Sequence, residues 1–164
     1  MAEIYVAIGS NVEPQRYLRS ALVALAENFG VLRLSPVYRN RPIGFDGDDF
    51  LNMVAAFESD QSVAEVVSIL EAIEAENGRE RGGEKFGPRT LDLDLLLYGD
   101  AVAPDGPHQV PRDEITRYAF VLKPLRDLAG ERIHPVAGRS FDEIWEDFDQ
   151  DNHPMEMVDL PLVS

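Results

Sequence analysis

The chain has 164 residues, 45% of them apolar, no cysteine and a net charge of −15. This length allows one domain with a sizeable core, and the lack of cysteine excludes a disulfide scaffold and a zinc–thiolate site. The acidity argues against a nucleic-acid or anionic-membrane partner, both of which want a basic face. No apolar run approaches bilayer length and the N-terminus lacks a signal-peptide layout, so a soluble cytoplasmic protein is expected.

Ile4 to Ile8 is a β-prone run that ends at Gly9-Ser10-Asn11. Pro14 opens a helix, where its missing N–H costs nothing, with Leu18, Leu22, Leu25 and Phe29 on one face and Gly30 as the stop. Val31 to Tyr38 reads as a second strand, Asn40 to Asp49 as a loop, and Phe50 to Phe57 as a third strand. Ser62 and Glu65 have capping-box spacing ahead of a second helix, whose core face is Val63, Val66, Val67, Leu70 and Ile73 and which Asn77-Gly78 ends. A polar, glycine-containing loop from Arg79 to Pro88 leads into a strand from Leu91 to Tyr98. A hairpin around Ala101 to Val110, a helix from Tyr118 to Leu128 kinked or bounded by Pro124, and a short helix from Ser140 to Phe148 complete the chain. The tail from Asp149 onward carries no clear signal. The order β-α-β-β-α-β predicts a single α+β domain with a ferredoxin-like core, an antiparallel sheet with two helices on one side, and extra C-terminal helices, one of which can cover the other face.

The strand from Leu91 to Tyr98 is the most informative segment. Leu91, Leu93, Leu95 and Leu97 alternate with Asp92 and Asp94, whose Cα atoms lie roughly 6.5–7 Å apart at strand rise. Carboxylates facing a core are costly unless paired or metal-bound. Two on one face, just after Gly87-Pro88-Arg89, suggest a cradle for hard divalent cations, with the upstream basic residues placed to hold phosphates. The alternative is a pair of solvated aspartates on a half-exposed strand, against which Leu96 continues their face as apolar. There is no P-loop, no kinase-type glycine loop and no His-Arg-Asp motif. Phosphate handling would therefore rest on metals and on Arg79, Arg81, Lys85 and Arg89, with Gly82-Gly83 giving the loop the freedom to close.

Lys85, Gly87, Pro88, Arg89, Asp92, Leu93, Asp94, Leu95 and Leu96 also carry a resemblance. They satisfy every fixed position in the signature of the 6-hydroxymethyl-7,8-dihydropterin pyrophosphokinases of folate biosynthesis. That pattern is a charged residue, any residue, two small residues, Arg, two residues, Asp, an aliphatic, Asp and two aliphatics. The resemblance runs from Ile4 to Trp145 and is weakest from Pro107 to Tyr118. It implies diphosphate transfer from ATP, as co-substrate, to the pterin's hydroxymethyl group, with release of AMP and with two magnesium ions on Asp92 and Asp94. It assigns catalysis to Arg79, Arg89, Asp92 and Asp94, and the nucleotide to Glu74, Arg81, Lys85, Arg89, Arg112 and Arg117. For the pterin it implies a sandwich of Phe50 and Phe120, an edge read by Asn52, a loop of Asn40, Pro42, Ile43 and Gly44, and Phe86 near both substrates. Gly9-Ser10-Asn11 would support these loops. A monomer with no nucleic-acid or membrane partner is expected.

Read residue by residue, Phe50 and Phe120 also suit a core, Glu74 a helix surface, and Arg81 and Lys85 a solvated loop. The chain departs from the family where Arg112 stands in place of a common His, Asp113 at an aromatic or Pro position, Tyr118 in place of Arg, and Asn40 in place of Thr. Arg112 and Arg117 restore positive charge there with different reach, or pair with Asp113 and Glu114 at the surface. The competing readings are a divergent paralogue that binds pterin or nucleotide without efficient catalysis, and a ligand-sensing ferredoxin-like module, which leaves Asp92 and Asp94 beside Arg89 unexplained.

Overall fold

The computed structural model describes residues 1–41, 47–78 and 90–160. The expectations for Pro42, Ile43, Gly44, Arg79, Arg81, Lys85, Phe86 and Arg89, and for a closing loop between Arg79 and Pro88, lie outside the described residues. The elements are β1 (Ala2–Ser10), α1 (Pro14–Phe29), β2 (Arg33–Leu34), β3 (Val37–Asn40), β4 (Phe50–Ser59), α2 (Val63–Glu76), β5 (Asp92–Tyr98), α3 (Ala119–Ala129), α4 (Phe141–Glu146) and β6 (Glu156–Val158).

The sheet runs β5-β1-β4-β3-β6, with β2 also on β4 and every pairing antiparallel. Its first four strands have the order expected of a ferredoxin-like core. Period-two alternation divides the apolar side chains between two cores. Ile4, Val6 and Ile8 of β1 pack with Leu18, Leu22 and Leu25 of α1 and with Val66, Leu70 and Ile73 of α2. Tyr5 of β1, with Val54 and Ala56 of β4, packs with Leu122 and Leu125 of α3 and Phe141 of α4. The sheet is thus a middle layer, with α1 and α2 on one face and α3 and α4 on the other.

Local signals account for the helix ends. Pro14 starts α1, and Gly30 closes it at φ 83°. Ser62 and Glu65 form the expected capping box of α2, and the Ser62 N–H holds the Glu65 carboxyl below the usual carboxylate range. Ser140 and Glu143 form a second box ahead of α4. Pro124 neither ends nor bounds α3, which runs through it to Ala129. The N–H it lacks would have pointed to the Phe120 carbonyl, one hydrogen bond in a helix held mainly by its buried face.

Three expectations need correction, and the tail, which carried no signal, gains an element. The second strand is two pieces, because the Ser35 hydroxyl and N–H both bond to Val54 of β4 and Pro36 interrupts the run. Leu97 does not share a face with Leu91, Leu93 and Leu95, because the β1–β5 register shifts between Tyr5 and Val6, pairing Val6 with Leu95 but Tyr5 with Leu97. The bulged strand turns Leu96 and Leu97 both into the α3 core. Finally, the tail contains β6, whose Glu156, Met157 and Val158 pair with Arg39, Tyr38 and Val37. Its strand signal lies in the partner edge, not in its own three residues. The expected hairpin shrinks to one bridge, Ala103 to Val110.

His134 offers a test of the α3–α4 connection. Its Nδ1 accepts the Val136 and Ala137 N–H groups at 3.1 and 3.0 Å, and burial pushes its pKa below the ordinary 6.5. As pH falls through 6.5, the unfolded chain gains a proton that the folded chain refuses, so this stabilisation is present above 6.5 and lost below it. Urea unfolding of the wild type and His134→Gln should show the wild type's advantage shrinking between pH 7.5 and 5.5, by at most about 1.4 kcal/mol per pH unit. An advantage that grows on acidification contradicts the assignment.

Candidate active site

The site grows from two rows of register-paired residues on the α3 side of the sheet. Tyr38, Asn52, Gly9 and Asp92 stand opposite one another across β3, β4, β1 and β5. Val54, Ala7 and Asp94 form the next row. Asp92 and Asp94 therefore share a face, as the alternation predicts, and that face becomes apolar at Leu96.

Asn52 is buried, and its amide nitrogen donates to the Asn40 side-chain oxygen. A Cβ on Gly9 would lie 2.7 Å from Asn52 Oδ1, so glycine is needed because the Asn52 side chain crosses its backbone. Asn11 Nδ2 donates to the Asp48 carbonyl at 3.2 Å, tying the end of β1 to the loop before β4. Phe50 and Phe120 are partly buried, and with Asn40, Asn52 and Gly9 they line a cavity of about 60 Å³. Tyr118 stacks on Phe120, with centroids 5.1 Å apart. On the far side of this row, the Tyr38 hydroxyl donates to the Asp127 carboxylate, which Lys123 also holds at 2.6 Å. Burial and Asp127 push the Tyr38 pKa up, so the phenol stays a neutral donor that fastens α3 over β3.

A second, open cleft of about 500 Å³ lies between α2 and the segment from Gly106 to Arg117. It meets the first cavity at Asp94 and Glu114, which line both. Arg112 is positioned by its N–H, which donates to the Leu96 carbonyl of β5 at 2.9 Å. Its Nη2 lies 3.4 Å from Asp94 Oδ1 and 3.3 Å from Glu114 Oε1. Arg117 lies 3.3 Å from Asp113, and both of those side chains are exposed. Both arginines line the cleft, and both are paired with acidic residues beside them.

Glu74 is not on the helix surface. It is buried at the end of α2, lines the open cleft, and its Oε2 accepts the Leu93 N–H at 2.8 Å, between the two aspartates in sequence. The edge of β5 that β1 leaves unpaired is thus covered by Glu74 and by the Arg112 backbone. Glu114 is the residue that sequence reasoning missed as part of the site. It reads as a counter-ion in a charged run, and only the 3₁₀ turn Asp113–Thr116, anchored by buried Ile115, brings it to the junction of the two cavities.

Asp92 and Asp94 are hard oxygen donors in a chain without cysteine. Magnesium characteristically takes one or two carboxylates and completes its shell with phosphate oxygens and water, so the donor set fits that ion.

The profile of the 7,8-dihydro-6-hydroxymethylpterin-pyrophosphokinase (HPPK) family matches residues 5–130. The chain belongs to the HPPK family. A 2-amino-4-hydroxy-6-hydroxymethyldihydropteridine pyrophosphokinase of Pseudomonas aeruginosa is 39% identical over 145 residues, 86% of this chain and 88% of that protein. The protein of the same name from Haemophilus influenzae is 34% identical, over 82% of this chain and 86% of its own. Among solved structures, Plasmodium falciparum HPPK-DHPS wild type with pteroate superposes with a TM-score of 0.73 at 10% identity. That match covers 88% of this chain and 44% of the other, and at such identity it speaks to the fold alone. Within this HPPK chain, α4 and β6 lie beyond the family match.

Replacing Glu74 tests its hold on β5. Glu74→Ala strands a buried N–H and should lower unfolding free energy by about 1–3 kcal/mol, while Glu74→Gln, which keeps an acceptor, should lose less. Urea denaturation of the two variants checks this, and equal losses would contradict it.

Proposed function

We propose that this chain transfers diphosphate from ATP to the hydroxymethyl group of 6-hydroxymethyl-7,8-dihydropterin and releases AMP. The observation that carries the reading is the meeting of two unlike spaces at Asp94 and Glu114. One is small, walled by Phe50 and Phe120 and edged by the amides of Asn40 and Asn52. Its lining suits the faces and edge of a flat heterocycle, for which about 60 Å³ is too small until the rings part. The other is open and contains Arg112 and Arg117. It suits a triphosphate, with Arg79, Arg81, Lys85 and Arg89 in the sequence just ahead of β5 supplying further charge.

The chain's own part is positioning. Phe50 and Phe120 would hold the pterin ring, and Asn52, fixed by Asn40, would set its rotation. The hydroxymethyl oxygen then points towards the junction, in line with the β-phosphorus. The new bond joins that oxygen to the β-phosphorus, the bond from the β-phosphorus to the α–β bridging oxygen breaks, AMP leaves with that bridging oxygen, and the hydroxyl proton passes to solvent. Asp92 and Asp94 would hold magnesium, two ions by the family resemblance, which supplies neutralising charge for the phosphates and lowers the pKa of the alcohol. No side-chain nucleophile is required. We propose a monomer and place the enzyme in the cytoplasm, where ATP is available.

One observation favours the second reading, binding without efficient catalysis: Arg112 stands against Asp94. Incubation with ATP, magnesium and the reduced pterin decides between them. AMP and pterin diphosphate in equal amounts are expected, and pterin binding without AMP would support the second reading. Asp92→Ala and Asp94→Ala should each lower turnover by about 10³-fold or more, since a lost metal ligand removes several kcal/mol of transition-state stabilisation. Near-normal turnover in magnesium would overturn the metal assignment. Gly9→Ala, by displacing the Asn52 amide, should weaken pterin binding about tenfold or more in a fluorescence titration and leave the affinity for an ATP analogue unchanged. Equal loss of both affinities would point to general unfolding of the sheet end.

A further inference from the structure

Asp94 already faces a cation in the arrangement described here. The Arg112 Nη2 stands 3.4 Å from its Oδ1, where an incoming ion would meet a like charge. The arginine is not bound firmly to that oxygen. The same nitrogen lies 3.3 Å from Glu114 Oε1, and both distances exceed the 2.7–2.9 Å typical of a strong charge-assisted contact. The side chains of Arg112 and Asp94 are about one-third exposed, at 33% and 29%, so neither is locked by packing. Glu114, at 18%, is the more enclosed partner. The Arg112 Nε is buried and has no acceptor among the described residues. A guanidinium shared loosely between two carboxylates, with one buried donor unused, has a resting partner in Glu114 and capacity for another acceptor.

We infer that Arg112 is an exchangeable counter-ion: it neutralises Asp94 in the metal-free protein, opposes metal binding there, and passes to the nucleotide's phosphates when metal and nucleotide arrive together. This rests on the reading of Asp92 and Asp94 as metal ligands and adds to it a coupling between two ligands. The ion frees Arg112 by taking Asp94, and the phosphates accept the freed guanidinium. Each ligand then raises the affinity for the other by the same factor. The cleft makes the exchange useful. Asp94, Asp113 and Glu114 stand beside Arg112 and Arg117 in its described lining, so each arginine meets the nucleotide already paired with a carboxylate. Arg112 is thus a positioning residue for the metal site as well as a nucleotide contact.

The test uses manganese as the probe ion and the full chain without nucleotide, titrated by electron paramagnetic resonance. Arg112→Ala and Arg112→Gln should bind manganese roughly tenfold more tightly than the wild type, the effect expected from removing a unit charge a few ångströms away in a half-solvated cleft. The same variants should bind a non-hydrolysable ATP analogue, with manganese present, more weakly than the wild type. Unchanged or weaker manganese binding in both Arg112 variants, with Asp94→Asn still losing the ion, overturns the counter-ion role and leaves the metal reading standing. Unchanged manganese binding in Asp94→Asn alone overturns the metal reading and this inference with it.

Discussion

Gly9 stands opposite Asn52 on one side and Asp92 on the other, and this double pairing of β1 holds the candidate site together. A slip of one residue between β1 and β5 would turn Asp92 and Asp94 towards the core formed with α1 and α2, and Leu93 and Leu95 towards the opposite face. Two unpaired carboxylates in that core would cost several kcal/mol, more than the few ladder hydrogen bonds at stake. The apolar alternation that stabilises the fold therefore also specifies where the carboxylates point. Gly9 adds a second condition, because only a residue without Cβ lets the Asn52 side chain cross the backbone between the two halves of the site.

The bulge on β5 lets one strand serve two purposes. Before the register shift, the α3-side face carries Asp92 and Asp94 and stays open to the cavities. After it, Leu96 and Leu97 both enter the core with α3. Site and core thus meet within one seven-residue strand. The unpaired edge of that strand is covered by groups that also line the open cleft, Glu74 and the segment carrying Arg112. Both therefore touch the backbone of the strand that carries Asp92 and Asp94.

Net charge frames the electrostatics. A chain of charge −15 repels a triphosphate at long range, so attraction must be local. Arg112 and Arg117 reach the cleft already paired with Asp94, Glu114 and Asp113, which lowers the attraction they offer a bare nucleotide. Arg112 brings a permanent charge with enough reach to touch Asp94.

Much was legible in the sequence because the signals were local. Period-two and helical alternation, the Ser62–Glu65 box, Pro14 and Gly30 placed the core elements. The spacing of Asp92 and Asp94 placed two carboxylates on one strand face, and the motif around them named the family. Tertiary structure decided what depends on partners distant in the chain. Glu74 became a buried acceptor because an unpaired N–H of β5 lay beside it, and Leu97 changed face because β1 and β5 differ by one residue across their pairing. Three tail residues became β6 because β3 offered an open edge. Glu114 entered the site through the turn that buries Ile115, and Arg112 met Asp94 because its backbone docks on Leu96. Sequence determines alternation and capping, since neighbours along the chain set them. Which charge meets which across the cleft is set by register and docking, which no local pattern encodes.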